Sequence, residues 1–142
     1  MAYAFEVKIK AMQVREAKGP SIKGATDIVA AFADIATMDR EAFYVVTLTQ
    51  KHKVIDRHLI SLGTLNASLV HPREVFKPVI LDSAAAIIFC HNHPSGDCTA
   101  SPEDKALTTR LKSAAEIFGI ALLDHVIVGG TSHFSFAESG LL

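Results

Sequence analysis

The residues best suited to chemistry lie in one short stretch between His91 and Asp104. It holds two histidines separated by one residue, His91 and His93, followed by Ser101 and Asp104. Neutral imidazoles and a carboxylate are the donors that a catalytic zinc ion takes, with one coordination position left for water. Alternate side chains of a strand point to the same side, so imidazoles at a strand end can converge. We therefore predict a metal site with His91, His93 and Asp104 as ligands.

Each part of this stretch also has a purely structural interpretation. Ser101-Pro102-Glu103-Asp104 is a good helix start, with serine as the N-cap and proline at the first helical position. Taken alone, Ser101 and Asp104 are better explained as capping residues, and His91 and His93 as hydrogen-bonding groups at a loop. The combination favours a metal site, because a carboxylate has two oxygens and Asp104 can bind a metal while it supports the helix.

The neighbouring segments supply a strand before the histidines and a helix after them. The apolar run from Ala84 to Cys90 is typical of a strand buried on both faces. The clearest helix runs from Pro102 to Phe118, and Gly119 follows as a C-terminal stop. Its predicted apolar stripe comprises Ala106, Leu107, Leu111, Ala114, Ala115 and Phe118.

The other elements follow from turn residues and hydrophobic periodicity. A helix is expected from Thr26 or Asp27 to about Thr37, and another from Pro72, kinked or shortened by Pro78. Strands are expected at 43–49, 54–62, 120–128 and 133–137. With hairpins at both ends, this order predicts the α/β class, a mixed sandwich around a curved sheet that helices flank.

Composition narrows the class of protein. The chain has 142 residues, 49% hydrophobic and 20% charged, which suits one packed domain. A net charge of −1 offers no global basic field, so charge does not support a nucleic-acid partner. Two cysteines, an N-terminus unlike a signal peptide and apolar stretches too short to cross a bilayer favour a cytoplasmic protein without a membrane partner.

The spacing His91-x-His93, then seven residues, then Ser101-x-x-Asp104 resembles the JAMM (MPN/JAB) metalloprotease motif. The sequence around this motif resembles the bacterial RadC branch of that family at 63–68, 71–77, 91–97 and 123–129. Asn92, within the motif, also fits that branch. The resemblance runs from about Ser21 to the C-terminus. It implies a JAB/MPN-like, cytidine-deaminase-like sandwich and a zinc metallopeptidase that cleaves a peptide or isopeptide bond in a peptide or protein substrate.

The resemblance also implies a role for each site residue. Zn²⁺ is held by His91, His93 and Asp104, Ser101 lies beside the reacting carbonyl, and an upstream glutamate matches Glu41. The chemistry agrees, because a metal-activated water needs a base to take its proton. Without the resemblance, a solvated charge at a strand end is the better interpretation of Glu41.

The sequence also predicts the environment of four other residues. The rival glutamate, Glu74, is more readily explained by a surface ion pair with its neighbour Arg73. Cys90 ends an apolar strand and is expected in the core, whereas Cys98 fits an exposed loop thiol. His125 lies in an apolar strand, so we expect a hydrogen-bonded structural histidine, with Asp124 as its candidate partner.

The predicted domain organisation differs from that of longer RadC-type proteins. We predict an N-terminal strand extension, 1–20, and a RadC-type MPN (JAMM) domain, 21–142, that form one globular unit. Longer members carry a helix-hairpin-helix region associated with DNA contact, and no such helix pair is recognised before Glu41. The extension could pair with the chain's own sheet or with a second copy, which leaves a homodimer open.

These observations leave competing functions. The leading one is a zinc-dependent hydrolase. The alternative is a DNA-repair-associated accessory or nucleic-acid-binding protein with a non-catalytic metal site. A metal-dependent nuclease fits less well, because a ligand set with two histidines suits zinc more than magnesium, which prefers oxygen ligands. A non-catalytic scaffold fits less well too, because such members of the superfamily usually lose ligands and every motif position here is filled.

Overall fold

The computed structural model describes residues 17, 19–63 and 70–142. The expected strand at the N-terminus lies outside the described residues, and so does the segment 64–69. The N-terminal extension and the domain boundaries therefore stay predictions.

The described chain forms three helices and five strands. In order they are α1 (Ala25–Ala31), β1 (Ala42–Leu48), β2 (Val54–Leu62), α2 (Pro72–Leu81), β3 (Ala86–Asn92), α3 (Pro102–Phe118), β4 (Ala121–Gly129) and β5 (Ser132–Ser135). The strands form one sheet in the order β2-β1-β3-β4-β5, in which β3 and β4 are parallel and the other pairs antiparallel. The predicted mixed α/β fold, with a sheet flanked by helices, is confirmed.

The central strand, β3, is buried along its whole length. Its side chains alternate between two cores. Ile88 and Cys90 pack with residues of α1, whereas Ile87 and Phe89 pack with residues of α2 and α3. His91 continues the second set, so it points towards the face that α3 covers.

Strand pairing brings three chain segments to one edge of the sheet. The antiparallel register of β1 and β3 pairs Phe43 with His91. The parallel register of β3 and β4 pairs His91 with Ile127. The start of β1 and the ends of β3 and β4 therefore meet, and the loop after β3 leads from this edge into α3.

The bounds of α3 are those that the sequence predicts, but its buried face differs. Leu107 and Leu111 are buried, whereas Ala106 and Phe118, both expected in the apolar stripe, are exposed. Thr108, which the prediction omitted, is buried instead. Successive helical residues are about 100° apart, so Ala106 and Thr108 lie on nearly opposite sides of the helix.

The first helix is shorter than predicted. It ends at Ala31 rather than Thr37, and its N-cap is Gly24, not Thr26 or Asp27. Beyond it, the N–H of Ile35 donates to the carbonyl of Phe32, three residues back. Phe32 and Ile35 are both buried. A series of tight turns therefore buries Phe32 and Ile35 with the same spacing that an α-helix would give them.

Strand bounds shift by a few residues. β3 begins at Ala86 and continues through His91 and Asn92, two residues beyond the predicted end. β5 covers Ser132–Ser135 rather than 133–137. Among the described residues, no helix is long and apolar enough to cross a membrane.

Candidate metal centre

The three predicted ligands lie together at the end of β3. One donor atom from each of His91, His93 and Asp104 lies within 4.8 Å of the other two. The two Nε2 atoms are 3.1 Å apart. The Asp104 carboxylate closes the triangle, with Oδ1 3.2 Å from Nε2 of His91 and Oδ2 3.1 Å from Nε2 of His93. This group could hold a metal ion.

Backbone pairing and a helix cap set these residues in place. His93 lies just past β3, where its N–H donates to the carbonyl of Val128 (2.9 Å) and continues the ladder with β4. Asp104 lies in the first turn of α3. Its Oδ2 accepts from the N–H of Ser101 (2.9 Å), and its own N–H donates to Oγ of Ser101 (3.1 Å). This reciprocal capping box aims the carboxylate at the strand end.

Two glycines let the loop between His93 and Ser101 turn and pack against β4. Gly96 has a φ of 83°, a conformation that favours glycine, and its N–H donates to the carbonyl of His93 (3.0 Å). A Cβ at Gly129 would lie 3.0 Å from Sγ of Cys98 and 3.1 Å from the carbonyl oxygen of His93. Glycine at both positions therefore lets the chain return from β3 to α3 in a short loop.

The donor atoms also suit a metal chemically. Nδ1 of His93 lies 2.7 Å from the carbonyl oxygen of Asp97, which can only accept, so Nδ1 carries a proton. In the neutral ring this leaves a lone pair on Nε2, the atom that faces His91 and Asp104. The donor separations of 3.1–3.2 Å are close to those of about 3.3 Å in a tetrahedral site with zinc bonds of roughly 2.0–2.1 Å. The residues therefore fit a tetrahedral metal ion.

The charges favour an ionised carboxylate at the centre. Burial by itself raises the pKa of Asp104, but the hydrogen bonds with His91 and His93 outweigh it and hold the pKa well below its usual range. The pKa of His93 is raised, first by its hydrogen bond with Asp104 and also by the Asp97 carbonyl and the charge of Glu41, against the effect of burial. A negative ligand is thus available beside the imidazoles.

Glu41 lies immediately before β1 and next to the centre. The start of β1 lies beside the end of β3 because the two strands are antiparallel. Glu41 is half-buried, and its charge is one of the causes of the raised pKa of His93. Its carbonyl oxygen accepts from the N–H of Gly63 (2.8 Å). The structure therefore brings the predicted base to the site, and its catalytic role stays a prediction.

Asn92 holds the backbone on both sides of Glu41, a contact that the sequence does not predict. Its Oδ1 accepts from the N–H of Ala42 (2.6 Å), and its Nδ2 donates to the carbonyl of Arg40 (2.8 Å). The side chain is fully buried, on the opposite face of β3 from His91. Asn92 therefore ties the start of β1 to the end of β3.

Ser101 combines its structural role with a position at the site. Its Oγ accepts the N–H of Asp104, which leaves its own O–H able to donate. The residue is half-buried at the start of α3. The capping interpretation of Ser101 and Asp104 is correct, and it is compatible with a role in chemistry. The role of Ser101 beside a reacting carbonyl stays a prediction.

His125 is buried directly behind His91. Its Nε2 lies 2.7 Å from Nδ1 of His91, and its Nδ1 lies 2.6 Å from Oγ1 of Thr108. Burial lowers the pKa of His125 well below its usual value. The expected pairing of its ring with Asp124 is wrong, because neighbouring strand residues face opposite sides. The Asp124 carboxylate accepts instead from the N–H groups of His125 (2.7 Å) and Ala137 (2.9 Å).

Both cysteines are buried, and only one of them was expected to be. Cys90 lies in the core as predicted, and burial raises the pKa of its thiol. Cys98, interpreted as an exposed loop thiol, is buried too, with Sγ 3.3 Å from the carbonyl oxygen of Ser132. The loop after β3 folds back against the turn between β4 and β5, and this packing covers the thiol.

Glu74, the alternative to Glu41 as the base, lies on the surface. The Glu74 carboxylate lies 3.8 Å from Nε of Arg73, and both side chains are exposed. Glu74 therefore offers a matched control for Glu41.

Comparison with known proteins places this architecture in a family. Residues 22–141 match the family model described as a RadC-like JAB domain. The chain is 52% identical over 103 residues to a UPF0758 protein of Trichlorobacter lovleyi, covering 72% of this chain and 45% of that protein. It is 55% identical over 108 residues to a UPF0758 protein of Rubrobacter xylanophilus, covering 76% and 47%.

A UPF0758 protein of Clostridium perfringens aligns over more of the chain. It is 44% identical over 134 residues, which cover 94% of this chain and 59% of that protein. The chain thus spans about half the length of the curated relatives it matches. The match to the family model and these identities agree with the predicted resemblance, and the chain belongs to the RadC family of JAB-domain proteins.

Proposed function

We propose that this domain is a zinc-dependent hydrolase that cleaves a peptide or isopeptide bond. The observation that carries the proposal is the triangle of donor atoms formed by Nε2 of His91, Nε2 of His93 and the Asp104 carboxylate, with sides of 3.1–3.2 Å. Two nitrogens and one oxygen leave a tetrahedral ion one further position, as in catalytic rather than structural zinc sites.

Zinc, when held by these residues, supplies Lewis acidity that lowers the pKa of a water to about 7. The protein's own groups then account for the proton and the developing charge. Glu41, at the start of β1, accepts the proton of the attacking water and passes it to the leaving amine. Ser101 donates its hydroxyl proton as a hydrogen bond to the oxyanion, because its Oγ already accepts the N–H of Asp104.

The first test of the proposal is metal content. The purified protein is expected to hold one zinc per chain, and His93→Ala is expected to lose it because the variant removes one of three donors. His133→Ala is the matched control, since His133 lies exposed in β5. Absence of zinc from carefully prepared wild-type protein, or full zinc content in His93→Ala, would contradict the proposed zinc site.

The second test is turnover. The zinc-loaded protein is incubated with a library of quenched fluorescent peptides and with lysine-linked isopeptide substrates, with and without a chelator. Cleavage that the chelator abolishes and added zinc restores supports the proposal. Zinc binding without cleavage of either class would favour the alternative of an accessory protein, which salt-dependent binding to DNA would then support.

A further inference from the structure

A chain of three hydrogen bonds runs from α3 through β4 to the metal centre. Oγ1 of Thr108 lies 2.7 Å from the carbonyl oxygen of Asp104. The same Oγ1 lies 2.6 Å from Nδ1 of His125. Nε2 of His125 lies 2.7 Å from Nδ1 of His91. Thr108 and the rings of His91 and His125 are all buried, so no group in the chain can exchange its partner for bulk water.

The direction of each bond follows from counting protons. A carbonyl oxygen can only accept, so the single hydroxyl proton of Thr108 is donated to Asp104. Oγ1 of Thr108 then has no proton left for His125, and Nδ1 of His125 must be the donor in that contact. In the neutral ring, Nε2 of His125 is therefore an acceptor, and Nδ1 of His91 donates to it.

The positions of these protons also determine which nitrogen of His91 has a lone pair for the metal. A neutral imidazole carries one N–H and one lone pair. Because Nδ1 of His91 holds the proton, its lone pair is on Nε2, the atom that faces His93 and Asp104. If the three hydrogen bonds were directed the opposite way, Nε2 of His91 would carry the proton and could not bind a cation.

We propose that His125 and Thr108 are positioning residues that lock His91 in the tautomer with its Nε2 lone pair directed at the metal. The inference rests on the metal site of the proposed function but not on the reaction. A metal-bound histidine usually donates its second nitrogen to a carboxylate, a backbone carbonyl or water. Here a second, buried imidazole takes that place.

The surroundings of His125 hold its ring rigidly enough for this role. Phe136 stacks on it at 4.7 Å between centroids and an interplanar angle of 10°. Phe43 and Phe89 meet it edge-on, at 5.7 and 5.9 Å. A ring enclosed in this way keeps its two nitrogens aimed at Thr108 and His91, so loss of the Thr108 acceptor cannot be repaired by a simple rotation.

The wild-type protein provides a direct test that needs no variant. Long-range ¹H–¹⁵N NMR correlation of ¹⁵N-histidine-labelled protein, without zinc, distinguishes protonated from bare ring nitrogens. We expect a proton on Nδ1 of both His91 and His125 and a bare Nε2 on His125. A bare Nδ1 on His91 or on His125 would overturn the proposal, whether or not the protein binds zinc.

Variants of Thr108 test the consequence for the metal. Thr108→Val removes the acceptor of the His125 Nδ1 proton with little change in volume, whereas Thr108→Ser keeps the hydroxyl. Without the acceptor, His125 favours a proton on Nε2, which forces the proton of His91 onto the metal-facing nitrogen. Zinc affinity of Thr108→Val, measured by competition with a chromophoric chelator, should fall roughly 10–100-fold.

The neighbouring threonine supplies the matched control. Oγ1 of Thr109 also donates to a carbonyl four residues back, that of Lys105, but Thr109 is exposed. Thr109→Val and Thr108→Ser should both keep zinc affinity close to wild type. Equal affinities of Thr108→Val and Thr108→Ser would contradict the inference, whereas failure of the wild-type protein to bind zinc would contradict the proposed function.

Discussion

The two faces of the sheet carry different kinds of core. On the α1 face, the buried cluster consists of apolar side chains and Cys90. On the face covered by α2 and α3, an equally buried apolar cluster that includes Phe43 and Phe89 adjoins the buried rings of His91 and His125. The α1 face also buries Asn92 and Asp124, but their side chains bond to backbone groups and to Ser135, whereas the buried rings on the other face belong to the candidate metal centre or contact it.

The difference shows how a small domain can hold a cluster of polar side chains inside its core. Burying polar groups is costly unless they are hydrogen-bonded. Within the described residues, every buried side-chain nitrogen and oxygen has a partner. We therefore expect changes to the apolar cluster on the α1 face to alter stability alone. Changes to polar groups near the metal centre should alter metal binding or turnover more than stability.

The largest expected effect is that of Glu41→Gln. Loss of the general base should lower turnover by about 10²- to 10⁴-fold, while zinc content and thermal stability stay near wild type because no ligand is removed. The measurement is hydrolysis of the best peptide or isopeptide substrate by zinc-loaded protein. Glu74→Gln, on the exposed surface, is the control and should be fully active. Full activity of Glu41→Gln would show that the base lies elsewhere.

A change in the opposite core should separate stability from metal binding. Phe32 is fully buried on the α1 face, and Phe32→Ala should cost about 3–5 kcal/mol of unfolding free energy. Urea denaturation measures the loss. Phe32→Leu, a milder change, keeps the domain folded for zinc titration, where the affinity should match wild type. A large loss of zinc affinity in Phe32→Leu would contradict the expectation that the apolar cluster on the α1 face affects stability and not metal binding.

Ser101→Gly should separate the two roles of Ser101. Glycine is a tolerable N-cap, so the loss of stability should be only a few tenths of a kcal/mol. Loss of an oxyanion donor should lower turnover roughly 10²- to 10³-fold. Comparison of the denaturation midpoint with the rate constant tests this. If the loss of stability accounted for the whole fall in activity, Ser101 would act only as the N-cap of α3.

The smallest expected effect concerns an ion pair at the rim of the α1 face. The Arg57 guanidinium contacts both Asp34 oxygens, at 3.1 and 2.7 Å, and lies over the rings of Phe32 and Tyr44. Its hydrogen bond holds the pKa of Asp34 below the usual value. Both side chains are more than a third exposed, so solvent screening limits the pair to less than about 1 kcal/mol.

The sign of the pH dependence follows from the lowered pKa of Asp34. The contribution of the pair is present above the unfolded-state pKa of about 3.9 and is lost as the pH falls through the lower folded-state pKa. Asp34→Asn should therefore be slightly less stable than wild type at pH 7, and the difference should vanish in acid. A difference that persists in strong acid would show that packing rather than charge is lost.

Local patterns predicted most of the elements and much of the centre. The buried run before His91 identified β3, and the capping sequence from Ser101 to Asp104 identified the start of α3, since caps and periodicity are local properties. The end of α1 was not predictable in the same way. A helix and a series of tight turns can bury Phe32 and Ile35 with the same spacing, and only packing decides between them.

The candidate donors, the strand and helix that carry them and the family of the chain could all be predicted from the sequence, because they follow from residue type and short-range spacing. The side chains that support the centre could not be predicted in this way. They are Asn92 beside Glu41, and Thr108 and His125 behind His91. A polar residue gains such a role when a distant segment brings it a partner. The register of β1 and β4 against β3, which no short stretch of sequence contains, supplies that partner.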